Sequence, residues 1–305
     1  MALPNYAYFQ GKIVPYSEAK IGVATHAFNY GTGVFAGMRG YWNDDKKKLF
    51  IFRPHEHFER FLNSCKLMRI DIGQTPESLT QILIDLLHKD NFQEDIYIRP
   101  VAYKADESIG VKLHGLKDDF TMFAIPFGLY IKNDTSAHFT VSSWRRVDDN
   151  MIPARGKVTG AYANSSLIKS DAVLSGFDDA LVLNQDGHIS EGSAMNFFMV
   201  RNGQLITPPA TDNILEGITR RTVMELAEKE LKIPVIERQV DRTEIYICDE
   251  IIMTGTAVQL TAVTKIDHRP VGTGEMGPVA KKLREVFAEV VRGNHSDYLH
   301  WNLEV

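Results

Sequence analysis

Lys157 stands between Gly156 and Gly160 in the segment Ile152-Pro-Ala-Arg-Gly-Lys-Val-Thr-Gly-Ala-Tyr162, and a Ser/Asn cluster follows before an apolar run. A primary amine on a tightly turning backbone is a candidate nucleophile, because amines bond covalently to carbonyl carbons. Taken alone, the segment reads better as a solvated loop lysine, as most lysines near glycines are. Three other stretches carry groups that such an amine would need. Ser190-Glu191-Gly192 puts a carboxylate in a tight loop between two short strands, either as a solvated turn residue or as a positioned anion. Gly217-Ile218-Thr219-Arg220 opens an amphipathic helix, where the first amides and the Thr219 hydroxyl suit a phosphate or simply cap the helix. Gly255-Thr256-Ala257 follows a strand and offers the same kind of donors.

Together these are the requirements of a lysine that forms a Schiff base with pyridoxal 5′-phosphate: a carboxylate for the pyridine nitrogen and backbone donors for the phosphate. Competing motifs fail on spacing. Gly31-Thr-Gly33-Val-Phe-Ala-Gly37 has the wrong interval for a dinucleotide loop and no strand leads directly into it. His55-Glu56-His57 sets its imidazoles two apart, on different helix faces, and no metal site is expected.

The elements that must position these residues are marked by periodicity. Thr75-Pro76 begins a helix with Leu79, Ile82, Leu83, Leu86 and Leu87 on one face, and Phe58, Phe61, Leu62, Cys65 and Met68 form a second stripe after Pro54. Further helices are expected from Thr219 to Lys232 and from about Pro278 to Arg292. Strands are expected at 96–103, 120–127, 139–144, 180–184, 195–200 and 251–254. In the first of these, alternation puts Tyr97 and Arg99 on one face and Ile96 and Ile98 on the other. Asn184-Gln-Asp-Gly187 and Asn202-Gly203 have hairpin chemistry, so antiparallel pairing is expected rather than a serial βαβ array. The run 21–38 lacks charge but carries four glycines, which suits a buried, sharply turning segment and not a membrane span.

The 305 residues are 44% hydrophobic and 24% charged, as in folded globular chains, and suffice for two domains. The net charge of -5 gives no reason to expect nucleic acid or an anionic membrane as partner. Two cysteines far apart imply neither a disulfide framework nor a zinc ribbon. The first residues, MALPNYAYFQGK, carry no signal-peptide apolar run, and a cytoplasmic location is expected.

The combination YGTGVFAGMR, FRPHEHFERF, YIRP, VSSW, IPARGKVTGAY, ISEGSAMNFF, LEGITR and TGTAVQLTAV, in order from about Tyr8 to the last helix, resembles the branched-chain amino acid aminotransferases. These are fold-type IV pyridoxal-phosphate enzymes. The resemblance implies an α+β (mixed α/β) fold of two lobes with the cofactor in the interdomain cleft. Residues 1–128 would form a smaller N-terminal α/β domain, 129–135 a linker, and 136–305 a larger cofactor-binding domain. It makes Lys157 the catalytic, cofactor-bonded lysine, Glu191 the pyridinium partner, Arg60, Ile218, Thr219 and Thr256 the phosphate cup, and Tyr162 the contact to the cofactor's phenolic oxygen.

On the substrate side it implies that Tyr97, with the amides of Thr256 and Ala257, holds the α-carboxylate. Arg99, aided by Tyr30, would take the distal carboxylate of glutamate, while Phe35, Phe127, Tyr130 and Tyr162 line the aliphatic part and Arg39 supports the branched-chain reading. The implied reaction moves the amino group of leucine, isoleucine or valine to 2-oxoglutarate, in a homodimer or a higher oligomer, with Tyr30 and the 109–111 loop against the neighbouring subunit. Ala36 stands where the family usually has glutamate, and Arg155 where it often has a small neutral residue. Both departures bear on substrate range and leave open a fold-type IV transaminase for D-amino acids or (R)-amines.

Overall fold

The computed structural model describes residues 3–128, 130–131 and 133–305. The expected linker 129–135 therefore lies partly outside the described residues, at Leu129 and Lys132. By contacts the chain forms two compact units: Met1–Gly128, Gly156–Ala161 and Val290–Val305 make the first, and Leu129–Arg155 with Tyr162–Glu289 the second. Both short excursions into the first unit break the simple sequence division at 129–135.

The first unit is built on one antiparallel sheet. Its strands are β1 (Tyr6–Phe9), β2 (Lys12–Pro15), β3 (Gly33–Phe35), β4 (Met38–Asn43), β5 (Lys48–Phe52), β6 (Ile96–Lys104) and β7 (Asp118–Pro126), closed by the C-terminal strand Asn302–Glu304 on β5. Strand β6 is central: β7 pairs along its whole length, while its other edge pairs first with β4 and then with β3. Pro100, which has no N–H to give, sits where that edge changes partner, opposite Ala36 and Gly37. The first unit also carries α1 (His26–Tyr30), α2 (Pro54–Leu67) and α3 (Pro76–Asp90). Helix α3 starts with the Thr75–Ser78 capping box, buries Leu79, Leu83, Leu86 and Leu87, and ends at Asn91 in the left-handed region.

The second unit has a nine-stranded mixed sheet: β8 (Ala137–Arg145), β9 (Asp179–Leu183), β10 (Ile189–Gly192), β11 (Asn196–Arg201), β12 (Gln204–Thr207), β13 (Val235–Glu237), β14 (Glu250–Gly255), β15 (Gln259–Ile266) and β16 (Arg269–Pro270). The Asn184–Gly187 and Asn202-Gly203 turns join antiparallel pairs, β9 with β10 and β11 with β12. Parallel pairs occur beside them, β8 with β9, β8 with β15 and β12 with β13, so the sheet is mixed without being a serial βαβ array. Parallel neighbours need a long crossover, supplied by α4 (Tyr162–Leu174) and α5 (Ile218–Lys229). A last helix, α6 (Pro278–Val291), leads back to the first unit. Phe139, Leu181, Phe197, Met199, Ile251 and Met253 form the centre of the second unit's core.

Candidate active site

Lys157 lies on the six-residue excursion of the first unit, and its backbone is tied down on every side. Its carbonyl accepts from Phe35 N at 3.0 Å, and its own N–H donates to Ser64 Oγ at 3.1 Å. Ser64 in turn donates to the carbonyl of Arg60, one turn earlier on α2, at 2.9 Å. Val158 bridges Val34, and the Thr159 hydroxyl lies 2.7 Å from Gly31 O and 3.0 Å from Gly33 O. Gly31 holds a left-handed φ of 65°, and a Cβ there would sit 2.9 Å from Gly160 Cα. Gly31 and Gly160 thus let two backbones meet. The uncharged run is divided: residues 32–38 are buried, whereas Val23 and Phe28 are exposed.

The lysine side chain reaches into a cluster at the break in the sheet. Lys157 Nζ lies 5.0 Å from the centre of the Phe35 ring, and the Arg99 guanidinium lies 4.4 Å from the same centre. Arg99 also donates to the Tyr97 hydroxyl at 2.9 Å, its Nε is buried with no partner among the described residues, and Tyr97 packs on Phe127 with centroids 5.1 Å apart. Gly37 makes room for this arrangement, because a Cβ there would collide with the Tyr97 hydroxyl. Ala36 is buried and donates its N–H to Pro100 O at 3.0 Å. Arg39 is also buried, with its guanidinium donating to the carbonyls of Phe127 and Gly128 at 2.7 and 3.2 Å. Tyr30 is occupied elsewhere, its hydroxyl accepting from Gly110 N at 3.1 Å.

In the second unit Glu191 is only 3% exposed and is surrounded by donors. Arg146, itself 9% exposed, places NH2 2.9 Å from Oε1; Asn196 Nδ2 and the Leu215 amide each donate to Oε2 at 3.1 Å. Three donors favour the ionised carboxylate. Just downstream, α5 begins at Gly217 with no side-chain cap, so the first-turn amides at buried Ile218 and Thr219 are available to an anion. Thr256 and Ala257 form the turn between β14 and β15. Tyr162 is the first residue of α4, and the Tyr130 ring has Lys169 Nζ 5.7 Å from its centre. Arg155 is held by Glu216 at 3.2 Å, with Asp149 at 3.6 Å.

The sequence assigns no role to Ser64, Thr159, Arg146 or Asn196, although IPARGKVTGAY contains Thr159 and ISEGSAMNFF contains Asn196. Their signal is tertiary, since each acts by a hydrogen bond or ion pair to a residue distant in the chain or across a turn. Both cysteines are buried, which pushes their thiols up to about 12 and removes them as nucleophiles. No group of His, Cys, Asp and Glu that could hold a metal occurs among the described residues.

The chemistry present fits pyridoxal phosphate. Within the first unit Lys157 carries a primary amine, and within the second Glu191 is a fixed anion while the starts of α5 and of the β14–β15 turn offer donors of the kind a phosphate needs. Thr254, fully buried, adds a hydroxyl with no partner among the described residues. It lies opposite Asn196 in the β11–β14 ladder, and therefore on the same sheet face.

The profile of the family Amino-transferase class IV matches residues 33–266. A probable branched-chain-amino-acid aminotransferase of Aquifex aeolicus (strain VF5) is 43% identical over 97% of this chain and 96% of its own length. Among solved structures, the branched-chain aminotransferase of Thermoproteus uzoniensis with norvaline superposes with a TM-score of 0.94 at 40% identity, covering 99% of both chains. The branched-chain amino acid aminotransferase of Thermobaculum terrenum in its PLP form also gives 0.94, at 36% identity, covering 99% of this chain and 98% of its own. The chain belongs to the class IV aminotransferases and, within them, to the branched-chain amino acid aminotransferases. It has their mixed α+β fold of type IV and is a pyridoxal-phosphate-dependent transaminase. The alternative, a D-amino acid or (R)-amine enzyme, is not favoured.

Proposed function

We propose that the chain exchanges amino groups between leucine, isoleucine or valine and 2-oxoglutarate, with Lys157 as the reacting amine. The observation that carries this assignment is the Phe35 cluster, where Lys157 Nζ and the Arg99 guanidinium share one aromatic ring and Arg99 also donates to the Tyr97 hydroxyl. Bound pyridoxal phosphate supplies an aldehyde for amine exchange and a protonated ring that withdraws electrons from the substrate Cα–H bond. Glu191, bound by Arg146, Asn196 and Leu215 N, would pair with the protonated ring nitrogen. The Lys157 amine would take up the proton released at the substrate Cα and hand it on to C4′. The tethered backbone at Ser64, Phe35 and Thr159 limits how far that amine wanders between the two atoms. Arg60, Ile218, Thr219 and Thr256 would hold the phosphate, and Tyr162 the phenolic oxygen.

Tyr97, with the amides of Thr256 and Ala257, takes the α-carboxylate in this reading, and Arg99 takes the distal carboxylate of glutamate. Phe35, Phe127 and Tyr130 face the aliphatic chain. Arg39 acts by holding the backbone of Phe127 and Gly128. The two compact units serve as the two domains. Val23, Phe28, Ile109 and Val111, 84, 67, 81 and 79% exposed, mark the surface of a homodimer, with Tyr30 tied to Gly110 beside it. A monomeric mass by light scattering at full activity would refute the dimer. No described helix is long and apolar enough to cross a membrane, and a cytoplasmic site of action fits the substrates. The test of the activity is single-turnover reaction with L-leucine, L-glutamate, D-alanine and (R)-1-phenylethylamine. The two L-amino acids should react fastest, and faster reaction of either of the others would overturn the reading.

A further inference from the structure

The Asn196 side chain touches both the carboxylate of Glu191 and Gly217, the N-cap of α5. Asn196, 5% exposed at the start of β11, uses Nδ2 twice, donating to Glu191 Oε2 at 3.1 Å and to Leu215 O at 2.8 Å. Leu215 N closes the loop by donating to the same carboxylate oxygen at 3.1 Å. On its other side Asn196 Oδ1 presses against Gly217, where an added Cβ would overlap it. Gly217 is the N-cap of α5, so the amide is wedged between the anion and the helix start. Glu191 does not depend on Asn196 for its charge, because the Arg146 guanidinium and the Leu215 amide remain.

We propose that Asn196 is a positioning residue that fixes the distance between the Glu191 carboxylate and the first turn of α5. A cofactor with a basic ring nitrogen at one end and a phosphate at the other is bound by two anchors. Its affinity exceeds that of the separate ends only if the anchors are held at the right span before it arrives. Asn196 supplies that span through two hydrogen bonds and one steric contact. The inference rests on the assignment of Glu191 and α5 to pyridoxal phosphate.

Calorimetric titration of the full-length protein with pyridoxal phosphate, with pyridoxal and with inorganic phosphate tests it. Both pyridoxyl ligands react with Lys157, so the covalent contribution cancels between them. Asn196→Ala should weaken pyridoxal phosphate about 10- to 100-fold while pyridoxal and inorganic phosphate each change less than about threefold. Equal weakening of all three would mean that Asn196 is only part of the packing, and unchanged pyridoxal phosphate would mean that it sets no span. Either result overturns the proposal. Gly217→Ala provides a second route, because its Cβ displaces Asn196 without removing it. It should reproduce the pattern alone and add less than about twofold in the Asn196→Ala background; independent, additive losses would refute the coupling. If the wild-type protein shows no visible band with pyridoxal phosphate that Lys157→Ala abolishes, the cofactor assignment itself falls and this inference with it.

Discussion

Replacing Arg99 with alanine should split the two half-reactions. The guanidinium makes three contacts inside the chain: a hydrogen bond to the Tyr97 hydroxyl at 2.9 Å, and faces on Phe35 and Tyr97 at 4.4 and 5.1 Å. Losing these loosens the pocket for every substrate, and a cation–π contact at a partly buried site is worth about 1 kcal/mol. Leucine should therefore react roughly fivefold more slowly. Glutamate loses that and its charge partner as well. Truncating one member of a desolvated pair costs roughly 2 to 5 kcal/mol, equivalent to about 30- to 5,000-fold in rate. Nε is buried without a partner among the described residues, so the guanidinium has a donor left to offer a carboxylate. Single-turnover rates, followed as the visible band decays after each amino acid is added, give the two numbers directly. If leucine and glutamate slow by the same factor, Arg99 serves the α-carboxylate, and its assignment must be exchanged with that of Tyr97.

Lys157→Ala should abolish transamination and the visible band, whereas Arg155→Ala, which removes only a half-exposed partner of Glu216 and Asp149, should keep both. Glu191→Gln should still bind pyridoxal phosphate but slow the half-reactions, and it should also lower the apo-protein's melting temperature, because Arg146 is left with a buried, unpaired charge; unchanged half-reaction rates would mean a different carboxylate partners the ring. Gly37→Ala should raise KM for amino acids more than it alters pyridoxal phosphate affinity, since its Cβ displaces the Tyr97 hydroxyl; equal effects would contradict that separation. Burial pushes the Asp90 carboxyl from its usual 3.8 up to about 6. The folded state thus holds its proton more tightly than the unfolded one, and stability from this group is complete below pH 3.8 and lost as pH rises through about 6. Asp90→Asn should therefore stabilise the protein by about 1 kcal/mol at pH 8, a figure reduced from about 3 because the site is only half-buried, and by nothing at about pH 3.5. Denaturant unfolding at the two pH values measures it, and an equal gain at both would refute the cause given.

Helices α2, α3, α5 and α6 were legible because each writes a 3.6-residue apolar stripe, bounded in the first two by Pro54 and by Thr75-Pro76. Helix α4 was legible only as an apolar run. It buries Ser165, Ile168 and Ala172, small or isolated apolar residues that make little stripe, and so the parallel pairing it permits between β8 and β9 was missed. Strands β1 to β5 are three to six residues long, too short for alternation to be distinct from chance. Lys157 and Glu191 are candidates only in combination, an amine and a carboxylate beside glycines together with phosphate donors, and through the resemblance of their motifs. Arg146 and Asn196 are not, because their importance lies in a shared partner, Glu191, that only a folded sheet brings to them.

The least legible feature is also the one that best explains why the lysine is where it is. Residues 129–155 and 162–289 belong to the second unit, yet the six residues between them belong to the first. A short excursion is a poor carrier for a group that must be placed to within a fraction of an ångström, unless its backbone is fixed by something else. Here the fixing is dense: Phe35 N, Ser64 Oγ, the Val34–Val158 bridge, Gly31 O and Gly33 O all engage residues 157–160. The anchoring strand β3 also bears Phe35, whose ring contacts both Lys157 and Arg99. One short strand thus positions the lysine twice, once through its backbone and once through an aromatic face. The glycines at 31 and 160 are what allow the two chains to lie that close. In the glycine run whose spacing does not suit a nucleotide loop, Gly31 and Gly33 are accounted for by packing that includes the lysine segment, and Gly37 by the Tyr97 hydroxyl.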